Sequence, residues 1–198
     1  MEFINLSLDT PYQIFKKKYE EAARSKQAEI EAMCISSYSI KMKEVRSRFV
    51  NLKYVNDKNF IFFSNYKSQK SEDFSFHKQI SAAIYWSDTN VQIRLKGFIE
   101  KTNEEFNNKH FKIREKEKNA LAISSQQSNP VESYDVVEEN YIRALNNYNS
   151  NQKCPKYWGG FTFVPYYFEF WEGHESRLNK REVYEMQNNA WNKYFLQP

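Results

Sequence analysis

Glycine and proline are scarce in this chain, with four and five residues among 198, which disfavours a fold made of many tight turns. Cysteine is nearly absent. Cys34 and Cys154 stand far apart with no CxxC, so neither a zinc site nor a disulfide framework is signalled. The three histidines, His77, His110 and His174, show no HExxH or comparable spacing, and no metal is expected. No apolar run approaches the roughly 18–20 residues that cross a bilayer, and the N-terminal stretch has no signal-peptide apolar core. These absences lead us to expect a soluble cytoplasmic protein with no membrane partner. Motifs of the GxGxxG, P-loop and GxSxG types are missing as well. Neither charge sign dominates, since 29 basic against 25 acidic residues leave +4. The signs are interspersed, and no face gathers basic and aromatic residues together. That argues against a nucleic-acid partner while permitting an anionic ligand.

Aromatic residues are what the chain has in excess. Sixteen phenylalanines and fourteen tyrosines suit β-rich packing around one substantial core. After Thr10-Pro11, a helix start, the stretch to Gln27 sets Ile14, Phe15, Tyr19, Ala22 and Ala23 on one stripe. Residues 29–39 and 48–55 read as strands. A polar turn at 56–59 leads into a strand at 60–65, so 48–65 is a hairpin. A second strand pair, 80–86 and 91–101, alternates Gln92, Arg94 and Lys96 with Ile93 and Leu95. Thr102 to Glu105 reads as a capping box opening a helix. Another helix is expected from about Ser133 to Tyr148, and three strands close the chain. Strands joined by short turns argue for an antiparallel barrel with helices around it, not a doubly wound sheet.

Two cationic groups could carry chemistry. Arg48 and Lys53 on one hairpin strand, with Ser64 and Lys70 after the next, make a plausible phosphate pocket, because charge-assisted hydrogen bonds are the strong ones. His110, Arg114 and Lys118 are spaced by four, a row on a continuing helix. For both groups, taken alone, a solvated surface is the commoner explanation.

In order, the segments RFVNLK, SNYKSQK, VQIRLKG, SSQQS, YWGGF and EFWEG…RLNKR resemble the pyridoxine/pyridoxamine 5′-phosphate oxidase family over nearly the whole chain. The resemblance implies an FMN-binding split β-barrel, mainly β with flanking helices, antiparallel and of Greek-key type. It implies one domain over 1–198, with an N-terminal helix and a helical insertion around 102–149. It also implies a homodimer whose active sites are shared between subunits. FMN would be contacted by Arg48, Phe49, Val50, Asn51, Leu52 and Lys53, by Phe63, Ser64, Gln69 and Lys70, and by Gln92. Gln127 and Ser128 would reach it from the partner subunit, and Trp171 and Arg181 would close over it. The phosphate of a B6 vitamer would meet Lys53, His110, Arg114 and Lys118, while Arg177 and Asn179 would face its ring as catalytic residues.

Four positions depart from the family pattern. Gln69 stands in place of an arginine, His110 of a tyrosine, Lys118 of a serine and Asn179 of a histidine. The expected function is FMN-dependent oxidation of pyridoxamine or pyridoxine 5′-phosphate to pyridoxal 5′-phosphate with oxygen as acceptor. A diverged flavoprotein acting on another metabolite, and a non-catalytic FMN or pyridoxal-phosphate binding protein, remain open beside it.

Overall fold

The computed structural model describes residues 1–149 and 151–198. In chain order its elements are β1 (Glu2–Ile4), α1 (Thr10–Arg24), β2 (Ala32–Ser39), β3 (Glu44–Asn56), β4 (Asn59–Asn65), α2 (Gln69–Phe76), β5 (Gln79–Trp86), β6 (Val91–Lys101), α3 (Glu104–Ile113), α4 (Lys116–Ser124), α5 (Tyr134–Asn146), β7 (Trp158–Glu172), β8 (Lys180–Gln187) and β9 (Ala190–Leu196). Six strands close into a ring, β2-β3-β4-β7-β6-β5 and back to β2, with every neighbour antiparallel. After the consecutive run β2-β3-β4, β5 returns to lie beside β2, which is a Greek-key arrangement. The expected mainly β barrel with flanking helices is therefore the observed fold. One strand breaks the antiparallel rule: β1, which the residue pattern did not reveal, pairs parallel with β3.

The split in the barrel comes from the length of β7. One edge of β7 pairs with β6 from Phe161 to Glu172. Along the other edge it pairs first with β4, up to Phe163, and then with β8, from Tyr167 onward. Pro165 falls in the gap between those two partners and next to the β6–β7 irregularity at Lys96/Gly97. That is the sort of position where a strand tolerates proline. A second irregularity, at Leu52/Tyr54 in β3, bends that strand as it passes from β2 to β4.

Alternation along the strands fills the ring. On β6, Ile93 and Leu95 are buried while Gln92, Arg94 and Lys96 face outward, as the residue pattern indicates. Phe60, Phe62, Phe161, Phe163, Phe168 and Phe170 crowd the interior. Helix α1 adds Tyr12 and Phe15, whose rings lie 5.0 Å from Phe168 and 4.9 Å from Phe60. The stripe on α1 is shifted from the expected one, because Pro11 and Tyr12 are buried while Ala23 faces solvent.

Three local expectations need correction. Asn103, not Thr102, caps α3: its Oδ1 accepts from Phe106 N at 2.8 Å. The Thr102 hydroxyl instead donates to Asn107 Oδ1 and Gly160 O. Helix α2 was not anticipated, since Phe74 is its one buried apolar residue and leaves no periodicity to read. The helix carrying His110 also does not continue to Lys118. It ends at Ile113, Arg114 is extended, and α4 begins afresh. The break is made by Asn119, fully buried, whose Nδ2 donates to the orphan carbonyl of Phe111 at 2.8 Å.

Among the described residues no helix is long and apolar enough to cross a membrane, and no group of three metal-ligating side chains is close enough to hold an ion.

Phe60 touches both helix and barrel, with ring neighbours Tyr12, Phe15, Phe163 and Phe168. Phe60→Ala should cost about 3–5 kcal/mol in urea unfolding. A loss under ~1 kcal/mol would show that α1 does not seal this core.

Candidate active site

A cavity of about 580 Å³ opens between β3, the end of β4 and the start of α2, a size that suits a small ligand. It is lined by Arg46 to Val50, Phe63, Ser64, Gln69, Lys70, Gln127 and Ser128. The last two come from the loop after α4, so the same chain that provides Lys70 also provides Gln127. The Gln127 Oε1 accepts from Ser64 Oγ at 3.0 Å and from Asn65 N at 3.2 Å. With its oxygen thus engaged, its amide nitrogen remains as a donor. Ser128 is held at φ 74°, a left-handed conformation that a serine adopts only under local constraint.

Lys70 is the electrostatic centre of this cavity. Its side chain is buried, and its ammonium donates to Ser64 Oγ at 3.0 Å and Ser68 Oγ at 3.3 Å. No carboxylate among the described residues pairs with it. Burial, and then the charge of Arg48, pull its pKa from 10.5 to about 8. A buried ammonium that lacks a counter-charge is an anion site in wait. Arg48 is held beside it by donation to Ser37 Oγ at 2.7 Å and by Asp73, 3.8 Å away.

Phe63 separates this cavity from a smaller one of about 200 Å³ that shares Phe63, Ser64 and Gln127 with it and adds Arg114, Lys118 and Trp158. The Phe63 ring stacks on His110 at 3.7 Å and on Trp158 at 5.2 Å. Arg114 lies over the Trp158 ring at 4.9 Å and donates to Lys118 O and Asn119 Oδ1. His110 shares a 2.8 Å hydrogen bond with the Tyr54 hydroxyl. Burial, with Arg114 and Lys53 nearby, lowers its pKa from 6.5 to about 4, so near neutral pH it is an uncharged stacking ring.

The two glycines of WGG hold this wall together. Asn107 Oδ1 accepts from Gly160 N at 2.8 Å, and its Nδ2 donates to Tyr66 Oη at 3.0 Å. A Cβ on Gly159 would collide with Asn107 Nδ2, so the close approach of α3 to β7 requires glycine there.

A different set of residues lies at the other end of β7. Gln92, Trp171 and Arg181 are lateral neighbours across β6, β7 and β8. Arg181 and Arg94 both reach the buried carboxylate of Glu169, at 2.7 and 2.9 Å, and the Tyr167 hydroxyl donates to it at 2.9 Å. Beyond the strand, Arg177 adopts φ 62°, and Asn179 Oδ1 accepts from His174 N at 3.0 Å, closing the loop.

Comparison with known proteins gives this geometry a family. The model of the pyridoxine 5′-phosphate oxidase C-terminal dimerisation region matches residues 158–198. The pyridoxine/pyridoxamine 5′-phosphate oxidase 1 of Hydrogenovibrio crunogenus is 33% identical over 95% of this chain and 88% of its own. The chain belongs to the pyridoxine/pyridoxamine 5′-phosphate oxidase family. A second member, from Leptospira interrogans, is 30% identical over 95% of this chain and 88% of that one. The structure of PhzG from Burkholderia lata 383, in complex with tetrahydrophenazine-1-carboxylic acid, superposes with a TM-score of 0.89. It covers 95% of this chain and 92% of that one at 23% identity, a likeness of fold. The family is one of oxidoreductases.

Residues marked by the oxidase family pattern fall into two groups in this chain. Arg48, Phe49, Val50, Phe63, Ser64, Gln69, Lys70, Gln127 and Ser128 share the large cavity, and Arg114 and Lys118 line the small one beside it. Gln92, Trp171, Arg177, Asn179 and Arg181 line neither. Lys53 is not at either cavity: its ammonium pairs with Glu31, which also binds the N-terminal amine. Leu52 is in the core, and Asn51 is exposed. The residue pattern missed Arg46, Ser47 and Asp73. Arg46 was within reach of it, being two residues before Arg48 and so on the same strand face.

His110 supplies a pH test. Because its folded pKa lies below 6.5, the folded chain binds fewer protons than the unfolded chain between about pH 6.5 and 4. This contribution to stability is complete above that window and is lost as pH falls through it. The Tm of wild type should fall more steeply from about pH 7 to about pH 4.5 than that of His110→Phe, which keeps the stack without the titration. Parallel slopes would contradict a buried neutral His110.

Proposed function

We propose that this protein is an FMN-dependent oxidase that converts pyridoxamine or pyridoxine 5′-phosphate to pyridoxal 5′-phosphate and acts as a homodimer. The observation that carries the reading is Lys70: a buried ammonium with hydroxyl partners and no carboxylate among the described residues, at a cavity wall that also holds Arg48. Such donors fit the phosphate of FMN, because a dianion satisfies both the charge and the hydrogen bonds. When bound, FMN would supply the acceptor for a hydride from the vitamer's C4′, with dioxygen taking the electrons on to give hydrogen peroxide; from the pyridoxamine ester, water then supplies the aldehyde oxygen and the nitrogen leaves as ammonia.

The chain's own part is binding and orientation. Gln127 offers its amide nitrogen to the ligand while Ser64 and Asn65 fix its oxygen. Arg114 and Lys118 would take the substrate phosphate in the adjoining cavity, where Phe63 and Trp158 would give the pyridine ring an apolar wall, with His110 stacked on Phe63. The neutral His110 contributes packing there rather than charge.

In this reading the second group comes from another copy. Ser64 faces Gly159 at one end of β7, and Gln92 faces Trp171 at the other, about 40 Å of strand path away. One chain does not bring both to one ligand. A partner presenting Gln92, Trp171 and Arg181 over the cavity, with Arg177 and Asn179 toward the substrate, would complete the site. The match to a dimerisation region at 158–198 supports this, since all but Gln92 lie within it.

Two experiments test the proposal. Purified protein should be yellow with bound FMN, and anaerobic addition of pyridoxamine 5′-phosphate should bleach the flavin absorbance. A bound flavin that B6 phosphates leave oxidised would favour a different substrate or a binding role. Mixing Lys70→Ala with Arg181→Ala subunits under exchange conditions should restore flavin binding beyond either parent. No gain over the parents would mean that each chain holds its own flavin.

A further inference from the structure

The large cavity contains a cation that the family pattern does not use. Arg46 and Arg48 project from the same face of β3, and both line the cavity that holds Lys70. One buried carboxylate positions the pair: Asp73 lies 3.6 Å from Arg46 Nη1 and 3.8 Å from Arg48 Nη2. The Ser37 hydroxyl donates to Asp73 at 2.7 Å and fixes its orientation. Glu44, on the outer side, accepts from Arg46 Nε at 2.7 Å. These contacts take Nε and Nη1 of Arg46 and leave Nη2 with no ion-pair or hydrogen-bond partner among the described residues.

Gln69 also lines this cavity and brings no charge to it. In the family resemblance an arginine precedes the cavity lysine, so the guanidinium expected from the start of α2 is missing. Arg46 supplies one from the opposite wall, on the strand. We propose that Arg46 is a phosphate-binding residue of the flavin site, its guanidinium taking the place of the charge that Gln69 does not provide. The inference rests on the flavin reading above and adds a residue to it.

The electrostatics of the wall agree with this assignment. Arg46, Arg48 and Lys70 face the cavity with Asp73 as their one buried carboxylate, leaving an excess of positive charge for an incoming dianion. A phosphate monoester offers three acceptor oxygens, and a guanidinium presents its donors in a fixed fork that suits them. Arg46 is also half-sheltered, with a side chain about 20% exposed, so its charge is screened less than that of a free surface arginine. The competing explanation is structural: Arg46 could serve only to pin α2 through Asp73.

Comparing FMN with riboflavin separates the two, because riboflavin lacks only the phosphate. Affinities for both would be measured by quenching of flavin fluorescence on apoprotein of wild type, Arg46→Gln, Arg46→Lys and Lys70→Ala. Arg46→Gln keeps the aliphatic stem and a hydrogen-bond donor for Glu44, and a thermal melt verifies that it folds. It should weaken FMN about fivefold or more, as expected for loss of a charged partner, and leave riboflavin unchanged. Arg46→Lys should recover part of the loss. Equal weakening of both flavins, or no weakening of FMN, would overturn the role of Arg46. Lys70→Ala reports on the underlying reading. If it too leaves the FMN preference over riboflavin intact, the phosphate does not sit in this cavity. Wild type that fails to bind FMN would overturn both.

Discussion

The double partnership of β7 is the constraint on which the rest of the structure depends. A strand of fifteen residues cannot keep one neighbour along both edges of a closed ring this small, so it exchanges β4 for β8 partway along. The first half closes the barrel and buries Phe161 and Phe163. The second half stays paired with β6 and takes β8 as its other neighbour, keeping Phe168 and Phe170 in the core and setting Glu169 and Trp171 on the opposite face. Hydrogen bonding along the shared edge with β6 makes the strand stiff, and it therefore holds its two ends apart. Each end then builds its own cluster of polar side chains.

The cavity at the β4 end is built from polar groups whose costs offset one another. Burying Lys70 without a carboxylate disfavours its charged form, while the buried Asp73 lies against two arginines. Ser37, Ser64 and Ser68 accept or pass on the hydrogen bonds that these groups require. A hydrogen-bonded network of this kind is rigid, since moving any member leaves another unpaired in a medium of low dielectric. Donors aimed into a cavity that is already ordered lose little entropy when a ligand arrives. The cluster at the far end, Arg94, Glu169, Arg181 and Tyr167, repeats the arrangement around Asp73: one buried carboxylate collects two cations and a hydroxyl.

Legibility differed between these parts for physical reasons. Strands β5 and β6 were readable because each has one face in the core, which imposes the alternation of Ile93 and Leu95 with Gln92 and Arg94. Helix α1 was readable from its proline start, yet its stripe was misjudged, since Tyr12 is drawn inward by Phe168 rather than by any neighbour on its own helix. Helix α2 has a single buried apolar side chain and leaves no period to find. The break before α4 depends on Asn119 reaching back to Phe111, a contact between residues that no local propensity connects. The cavity residues of β3 and β4 were named largely through family resemblance, and Arg46 and Asp73 were missed because the resemblance had no place for them.

The sequence by itself determined the fold class, the strand hairpins and the family, because period-two burial and a set of spaced motifs are local properties of the chain. It also marked two sets of candidate site residues, one before residue 130 and one after 158, apart from Gln92. Only the tertiary structure decided which of them meet. Register across β4, β7 and β6 sets Ser64 against Gly159 and Gln92 against Trp171, residues 95 and 79 positions apart in the chain. It also decided the state of the ionisable groups. Lys70 and His110 are ordinary in sequence, and their depressed pKa values arise from the water and counter-charge that the folded protein withholds from them.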